Sequence, residues 1–390
     1  MINDEQRNHE APYRGFEQGP IRPPSEASSL LIRVTRNCPW NRCAFCPVYK
    51  GTEFSLRPVE HVLRDIDNVN THVRALRNMA SDGRRISREM LTDYHAGLDV
   101  SERSAFNAAV NWFAAGMESI FLQDANSLII KPENLRRILE HLMTCFPWTQ
   151  RITSYARSRT VARISDANLR SFAIAGLNRI HIGMESGSDA VLDLVQKGVD
   201  KKTHVKAGQK VKKAGIELSE YVMPGLGGKK FSDIHARETA DALNQINPDF
   251  IRIRTLAIPN SVALYDEWAS GRFEKLTDLE SARELLLFLQ HLDGITSYIK
   301  SDHILNLFEE VEGKLPEDKD RITGVIEQFL VMDPEARMLY QVGRRMGLFA
   351  RLSDLDDGRK KAQVQDACRQ YGITPENVDD MITEIMKRFI

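Results

Sequence analysis

Cysteine is scarce in this chain, with five among 390 residues, so a disulfide-stapled scaffold is excluded. An excess of charge of one sign is missing too. The 53 basic and 54 acidic side chains leave a formal net charge of −1, which argues against wholesale binding of nucleic acid or an acidic membrane. Long apolar runs are absent, since no stretch approaches the ~18 residues of a membrane span. The opening "MINDEQRNHE" has no apolar core of a signal peptide. These absences predict a cytoplasmic protein with no membrane partner. In that reducing compartment, clustered thiols mean metal or catalysis rather than disulfides.

What the chain has is a rhythm. Residues 1–29 are polar and broken by prolines, and predict an extended leader. Short apolar runs then alternate with helical patterns: "LLIRVTR" from Leu30, "ESIFLQD" from Glu118, "RITSY" from Arg151, "NRIHIGM" from Asn178, "IELSEYVM" from Ile216 and "DFIRIRTLAI" from Asp249. Gly116, Gly176 and Gly215 stop helices just before the next strand. Such alternation predicts an α/β fold, with a parallel sheet as either a barrel or an open doubly wound sheet. The segment from about Arg77 to Glu102 breaks the rhythm and is expected to be an insertion. After about Leu276 the pattern turns helical, and "ITSYIKSD" from Ile295 offers a seventh strand.

Three of the five cysteines crowd into "RNCPWNRCAFCPVY", where Cys38, Cys43 and Cys46 form C-x4-C-x2-C directly after the first strand. Three readings compete. Structural zinc usually wants four ligands, and only His61 lies nearby as a fourth. Buried structural thiols do not normally cluster in a loop containing Pro39, Asn41 and Arg42. An iron–sulfur cluster normally takes four thiolates, so three would leave one iron open for a small molecule.

Three cysteines in one loop after the first strand, with Phe45 just before the last, resemble the radical S-adenosylmethionine superfamily. Its usual spacing has three residues between the first two cysteines, and this chain has four. The resemblance implies a partial (β/α)6 TIM-like barrel with a C-terminal helical extension. It divides the chain into a leader over 1–29, a barrel over 30–275 and a mainly helical region over 276–390. It implies a [4Fe-4S] cluster on Cys38, Cys43 and Cys46, with S-adenosylmethionine chelating the open iron. Further cofactor positions are implied residue by residue at strand ends, where parallel barrels gather their active sites. Asp124 and Asn126 in "LQDANS" would take the methionyl amine, and Arg157 in "SYARS" the carboxylate. Glu185 and Ser186 in "IGMESGSD" would meet the ribose. Val222 before "MPGLGG" and Leu256 in "TLAIP" would meet the adenine. Read alone, "GLGG" is an ordinary turn and Asp124 an ordinary helix cap.

Strand alternation predicts which side chains face the lumen. Counted this way, Arg151, Thr153, Tyr155 and Arg157 point inward, as do Arg179, His181 and Glu185. Glu217, Ser219 and Tyr221, then Arg252 and Arg254, are expected to join them, with Ile251 and Ile253 facing helices. Two readings stand: the cations receive a carboxylate- or phosphate-bearing substrate, or the charges pair among themselves. In "SDHILN", Asp302, His303 and Asn306 offer a proton donor or metal ligand, or simply a cap for the next helix. Tyr155, Arg254 and His303 are the catalytic candidates.

Cys145 falls on the apolar face of "LEHLMTCF" and is expected in the core. With Cys368 it is too little for a second cluster, and no D-x-H-x-x-G stretch suggests cobalamin. The resemblance therefore implies an anaerobic oxidoreductase-type enzyme with one cluster. It would abstract hydrogen from a polar, anionic small molecule, with a porphyrinogen as one example. An electron donor such as flavodoxin or ferredoxin would serve it. Two other classes stay open: a haem or iron–sulfur carrier on the same barrel, and an RNA-modifying enzyme, although nucleic acid is not expected from the charge balance.

Overall fold

The computed structural model describes residues 12–81 and 85–386. The first eleven residues of the expected leader and the last four of the chain lie outside the described residues. The fold is α/β, with a mostly parallel main sheet of eight strands. The chain divides into two compact units, the first formed by Met1–Asn41, Gly51–Ile182 and Lys210–Glu217, the second by Arg42–Lys50, Gly183–Gln209 and Leu218–Ile390. Among the described residues no helix is long and apolar enough to cross a membrane.

In the first unit, strands β1 (Leu30–Arg33), β4 (Ser119–Gln123), β5 (Arg151–Ala156) and the first part of β6 (Leu177–Glu185) run parallel in chain order. The register sets Leu31 beside Phe121, Phe121 beside Thr153 and Tyr155 beside His181. The intervening residues Leu30, Ile32, Ile120, Leu122, Ile152, Ile180 and Ile182 are all buried. Fully burying each such side chain contributes about 1.5–3 kcal/mol. Helix α1 (Val59–Met79) presents Val59, Val62, Ile66, Val69, Val73 and Leu76 as one buried stripe, the 3-4 spacing of an amphipathic helix. Helices α3 (Val100–Ala114) and α4 (Pro132–Cys145) pack against it, and Pro132 opens α4 where its missing N–H is harmless. Between α1 and α3, the segment that breaks the sequence rhythm holds α2 (Arg88–Ala96), which buries none of its residues.

The described part of the leader lies against this unit. Gln123 accepts a hydrogen bond from the Gly19 N–H (2.8 Å) and donates to the Ile21 carbonyl (2.6 Å). Glu26 is fully buried. A short antiparallel pair, β2 (Thr35–Arg36) with β3 (Ser55–Leu56), ties together the two ends of the cysteine-bearing loop.

In the second unit β7 (Glu217–Val222), β8 (Phe250–Ile253) and β9 (Tyr298–Lys300) run parallel, and β10 (Gly313–Lys314) closes antiparallel on β9. The run from Ile295 thus supplies a strand beyond the six. Helices α9 (Gly228–Ile246), α11 (Asp278–His291) and α12 (Lys319–Val331) pack in series, and α13 (Pro334–Arg345) gathers α14 (Gly358–Tyr371) and α15 (Val378–Met386). A capping box between Thr277 and Glu280 starts α11.

The register of β7 and β8 keeps the expected side-chain alternation. Ser219 and Tyr221 share a face with Phe250 and Arg252, while Glu220 shares the other with Ile251. It is Glu220, buried at 1% exposure, that feels the charges of Glu185 and Lys197. Arg252 instead donates from Nε to Ser219 Oγ (3.1 Å) and pairs with Asp302 (2.6 Å). Arg254 lies just past the end of β8 and is exposed.

Candidate functional site

The cysteine loop is shaped by its asparagines. Asn37 (φ 65°) and Asn41 (φ 45°) adopt left-handed backbone, which Asn tolerates better than most residues. Their side chains reach across the loop, Asn37 Nδ2 to the Glu53 carbonyl (2.5 Å) and Asn41 Nδ2 to the Thr52 carbonyl (3.3 Å). Cys38 Sγ accepts from the Asn41 N–H at 3.4 Å. Cys38, Cys43 and Cys46 are each half-buried, and none is in a disulfide.

Within the first unit, three of the expected cofactor residues gather around the start of this loop. Asp124 is fully buried; its Oδ2 lies 2.7 Å from Arg33 Nη2 and accepts the N–H of Asn37 (3.2 Å), the residue before Cys38. Asn126 is also buried, its Oδ1 taking the Arg157 N–H (3.0 Å) and its Nδ2 donating to Thr160 Oγ1 (2.9 Å). The guanidinium of Arg157 lies over the ring of Trp40, 5.1 Å from its centre, a cation–π contact inside the cysteine loop. Tyr155 packs edge-on to Phe121 (5.1 Å) and tilted beside His181 (5.7 Å). Arg151 and Arg179, expected as lumen cations, are engaged by carboxylates: Glu26 at 3.4 Å and Glu217 at 2.8 Å. Glu26 also faces His181 (3.6 Å) and accepts from Ser29 (2.6 Å). Burial pushes its carboxyl up, but those hydrogen bonds and the Arg151 charge outweigh burial and hold it below the usual range.

Within the second unit, the other half of the loop lies on an apolar wall. Phe45 and Ala44 are buried with Val191, Val195, Met223, Leu226 and Leu256, and Cys43 and Cys46 pack against that cluster. Backbone bonds from Ala44 N to Val195 O (2.9 Å) and from Leu264 N to Ala44 O (2.9 Å) pin the loop to it. Lys50 Nζ donates to the Cys43 carbonyl at 3.1 Å. Lys197 links the wall to Glu185: its ammonium sits 5.6 Å from the Phe45 ring centre and 3.0 Å from Glu185 Oε1. Gly183 makes room for this pair, because a Cβ there would fall 2.2 Å from Glu185 Oε1 and 3.2 Å from Lys197 Nζ. Glu185 itself has φ 66°, a backbone that turns the chain out of β6 at this point. Beside it, burial pushes the Glu220 carboxyl well above the carboxylate range, with Glu185 adding to the rise and Lys197 opposing it. Glu220 Oε2 has no hydrogen-bond partner among the described residues.

Ser186 is spent internally. Its hydroxyl meets His235 Nδ1 at 2.8 Å and accepts from the Ser188 N–H at 3.0 Å. Val222 is buried and its carbonyl accepts the Arg254 N–H (3.0 Å). Arg254 and His303 come together: burial first, then the Arg254 charge, lowers the His303 imidazole to about 4, against Asp302. His303 Nδ1 accepts the Leu305 N–H (3.3 Å), a local turn cap, and leaves Nε2 to carry the proton of the neutral ring. Asn306 is a strap, holding the Thr255 N–H on Oδ1 (2.9 Å) and donating to the Ile253 carbonyl (2.8 Å). Sequence reasoning missed Trp40, Lys197 and Glu220. Trp40 had a signal, as the one aromatic between the first two cysteines.

No family model matches the chain. It is 24% identical over 158 residues, 37% of its length, to the tRNA uridine(34) acetyltransferase of Methanocaldococcus infernus, and the match spans 28% of that relative. Among solved structures it is similar to M. infernus Elp3 with an N-terminal deletion (14% identity, TM-score 0.43), covering 62% of this chain and 63% of that one. It is also similar to coproporphyrinogen III oxidase (HemN) from Escherichia coli, described as a radical SAM enzyme, at 16% identity and TM-score 0.43, covering 68% of this chain and 52% of that one.

Proposed function

We propose that the chain is a radical S-adenosylmethionine enzyme that abstracts hydrogen from a polar, anionic small molecule. The observation that carries this reading is the cysteine loop: three half-buried thiols outside any disulfide, two of them seated on the apolar wall around Phe45 and Leu256. The donor set suits a [4Fe-4S] cluster with one open iron. Cys38, Cys43 and Cys46 would hold it, and with S-adenosylmethionine bound the pair supplies one-electron, carbon-radical chemistry. The chain's own residues do the rest. Phe45, Leu256 and Val222 exclude water and stray hydrogen donors. Glu185, oriented by Lys197, accepts from ribose hydroxyls, and Arg157 offers its guanidinium to the methionyl carboxylate.

Arg254 and neutral His303 would receive the substrate, Arg254 as its anion partner and His303 Nε2 as a hydrogen-bond donor. Tyr155 is a further candidate at the reacting centre. In this reading the leader (1–29), barrel (30–275) and helical region (276–390) are its parts, a flavodoxin or ferredoxin reduces it, and the compartment is the cytoplasm, where thiols stay reduced.

The test is anaerobic reconstitution with iron and sulfide, then S-adenosylmethionine and dithionite, assayed for 5′-deoxyadenosine. Formation that disappears in Cys43→Ala is expected. Zinc in place of iron, or a bound cluster with no cleavage in the presence of anionic candidates, would overturn the reading. A second reading is favoured by the tRNA uridine(34) acetyltransferase match: the same chemistry acting on RNA. Salt-dependent tRNA binding at low ionic strength would support it, and no binding would remove it.

A further inference from the structure

Away from the cysteine loop, the first unit places a second group of metal-ligating side chains between two helices. Asp67 comes from α1, and His141 and Cys145 from α4, one turn apart on the same face. Cys145 is half-buried rather than in the core as its sequence position suggests. His141 Nε2 lies 2.7 Å from Asp67 Oδ1 and 3.7 Å from Cys145 Sγ, and the sulfur lies 4.0 Å from the same carboxylate oxygen.

The ring nitrogen involved discriminates between the uses such a trio could have. In a nucleophilic triad the acid holds one ring nitrogen and the thiol faces the other, so that a proton passes through the ring. Here carboxylate and thiol converge on a single nitrogen, Nε2. Convergence of an oxygen, a nitrogen and a sulfur donor on one point is the requirement of a cation. Zinc bonds of about 2.0–2.1 Å to nitrogen and oxygen and about 2.3 Å to sulfur, at tetrahedral angles, put donors about 3.3–3.6 Å apart. The observed 2.7, 3.7 and 4.0 Å straddle that range. Small side-chain rotations equalise them, which the exposure of Asp67 permits. Burial and then the Asp67 charge push the Cys145 thiol up, with the Arg74 charge and a hydrogen bond from Asn70, on the next turn of α1, opposing the rise, so a bound cation would displace the thiol proton.

We propose that Asp67, His141 and Cys145 form a zinc-class divalent-cation site, with a fourth position open to water, separate from the cysteine loop and independent of the reading of that loop.

The probe is cobalt(II), titrated anaerobically into the intact metal-free chain and read by its tetrahedral visible bands and sulfur-to-cobalt charge transfer. The loop thiols contribute equally in every variant. Wild type should take up one more equivalent than His141→Ala or Cys145→Ala, and zinc should displace it. Asp67→Asn should weaken that equivalent by at least about tenfold, the effect typical of disturbing a ligand's surroundings. Zinc should also raise the melting temperature of wild type more than that of Cys145→Ala, after circular dichroism shows that the metal-free variants fold alike. Identical cobalt stoichiometry and spectra in wild type and all three variants would overturn the site.

Discussion

Glu26 in the first unit and Glu220 in the second are both carboxyls with almost no exposure, yet their surroundings differ. Glu26 is met by Ser29, His181 and Arg151, and its carboxyl is held ionised below the usual range. Glu220 stands beside another carboxylate, Glu185, with Lys197 as the cation nearby, and its Oε2 lacks a hydrogen-bond partner among the described residues. A matched set of charges locks a fold. A set with one more acid than base keeps a proton on one of its carboxyls. The contrast extends further. Arg57–Asp65 at 2.7 Å and Arg33–Asp124 at 2.7 Å are matched pairs in the first unit.

The largest effect should come from unmatching Glu26. Glu26→Ala leaves His181 and Arg151 facing an empty buried position and should lower unfolding free energy by about 3–5 kcal/mol, the usual cost of breaking a buried pair from one side. Urea unfolding checks this. A change under about 1 kcal/mol, the scale of an exposed ion pair, would mean that Glu26 is not a locking contact.

Next is the converse change, removing the unmatched acid. A carboxyl whose folded value is raised contributes stability that is fully present below its ordinary value of 4.5 and lost as pH rises through the folded value. Glu220→Gln keeps a neutral polar group, so it should be more stable than wild type at pH 8, by about 1.4 kcal/mol for each unit of the rise. It should also lose the pH dependence above 4.5. Destabilisation at pH 8 would show instead that Glu220 is ionised and paired.

The smallest effect belongs to His303, which is partly solvated. Its value falls from the ordinary 6.5 to about 4 on folding, so the unfolded chain binds the extra proton between those values. Stability is present above 6.5 and lost as pH falls towards 4. His303→Gln should flatten the stability profile in that window, measured by melting at pH 7, 6 and 5. An unchanged slope would place the imidazole in solvent.

Much of the frame was legible in the sequence. Leu30–Arg33, Ser119–Gln123 and Leu177–Glu185 form strands where apolar runs predicted them, and α1 and α4 carry their 3-4 stripes. These patterns are local, written in side chains a few residues apart, and burying one face is enough to fix the element. The cysteine loop was equally legible, because its thiols lie within nine residues. Where the charges went was not. The face that Arg252 shares with Ser219 and Tyr221 follows from alternation, but its pairing with Asp302, 50 positions away, does not. Lys197 reaches Glu185 only because the backbone turns at φ 66° there and Gly183 leaves space. Asp67 meets His141 and Cys145 across 74 and 78 positions of sequence.

The sequence by itself determined the alternation of strands and helices and the thiol loop, since each rests on spacing within one segment. Only the tertiary structure decided which acids are matched, which is left over and which donors converge. Those depend on register, backbone turns and helix packing between segments distant in the chain.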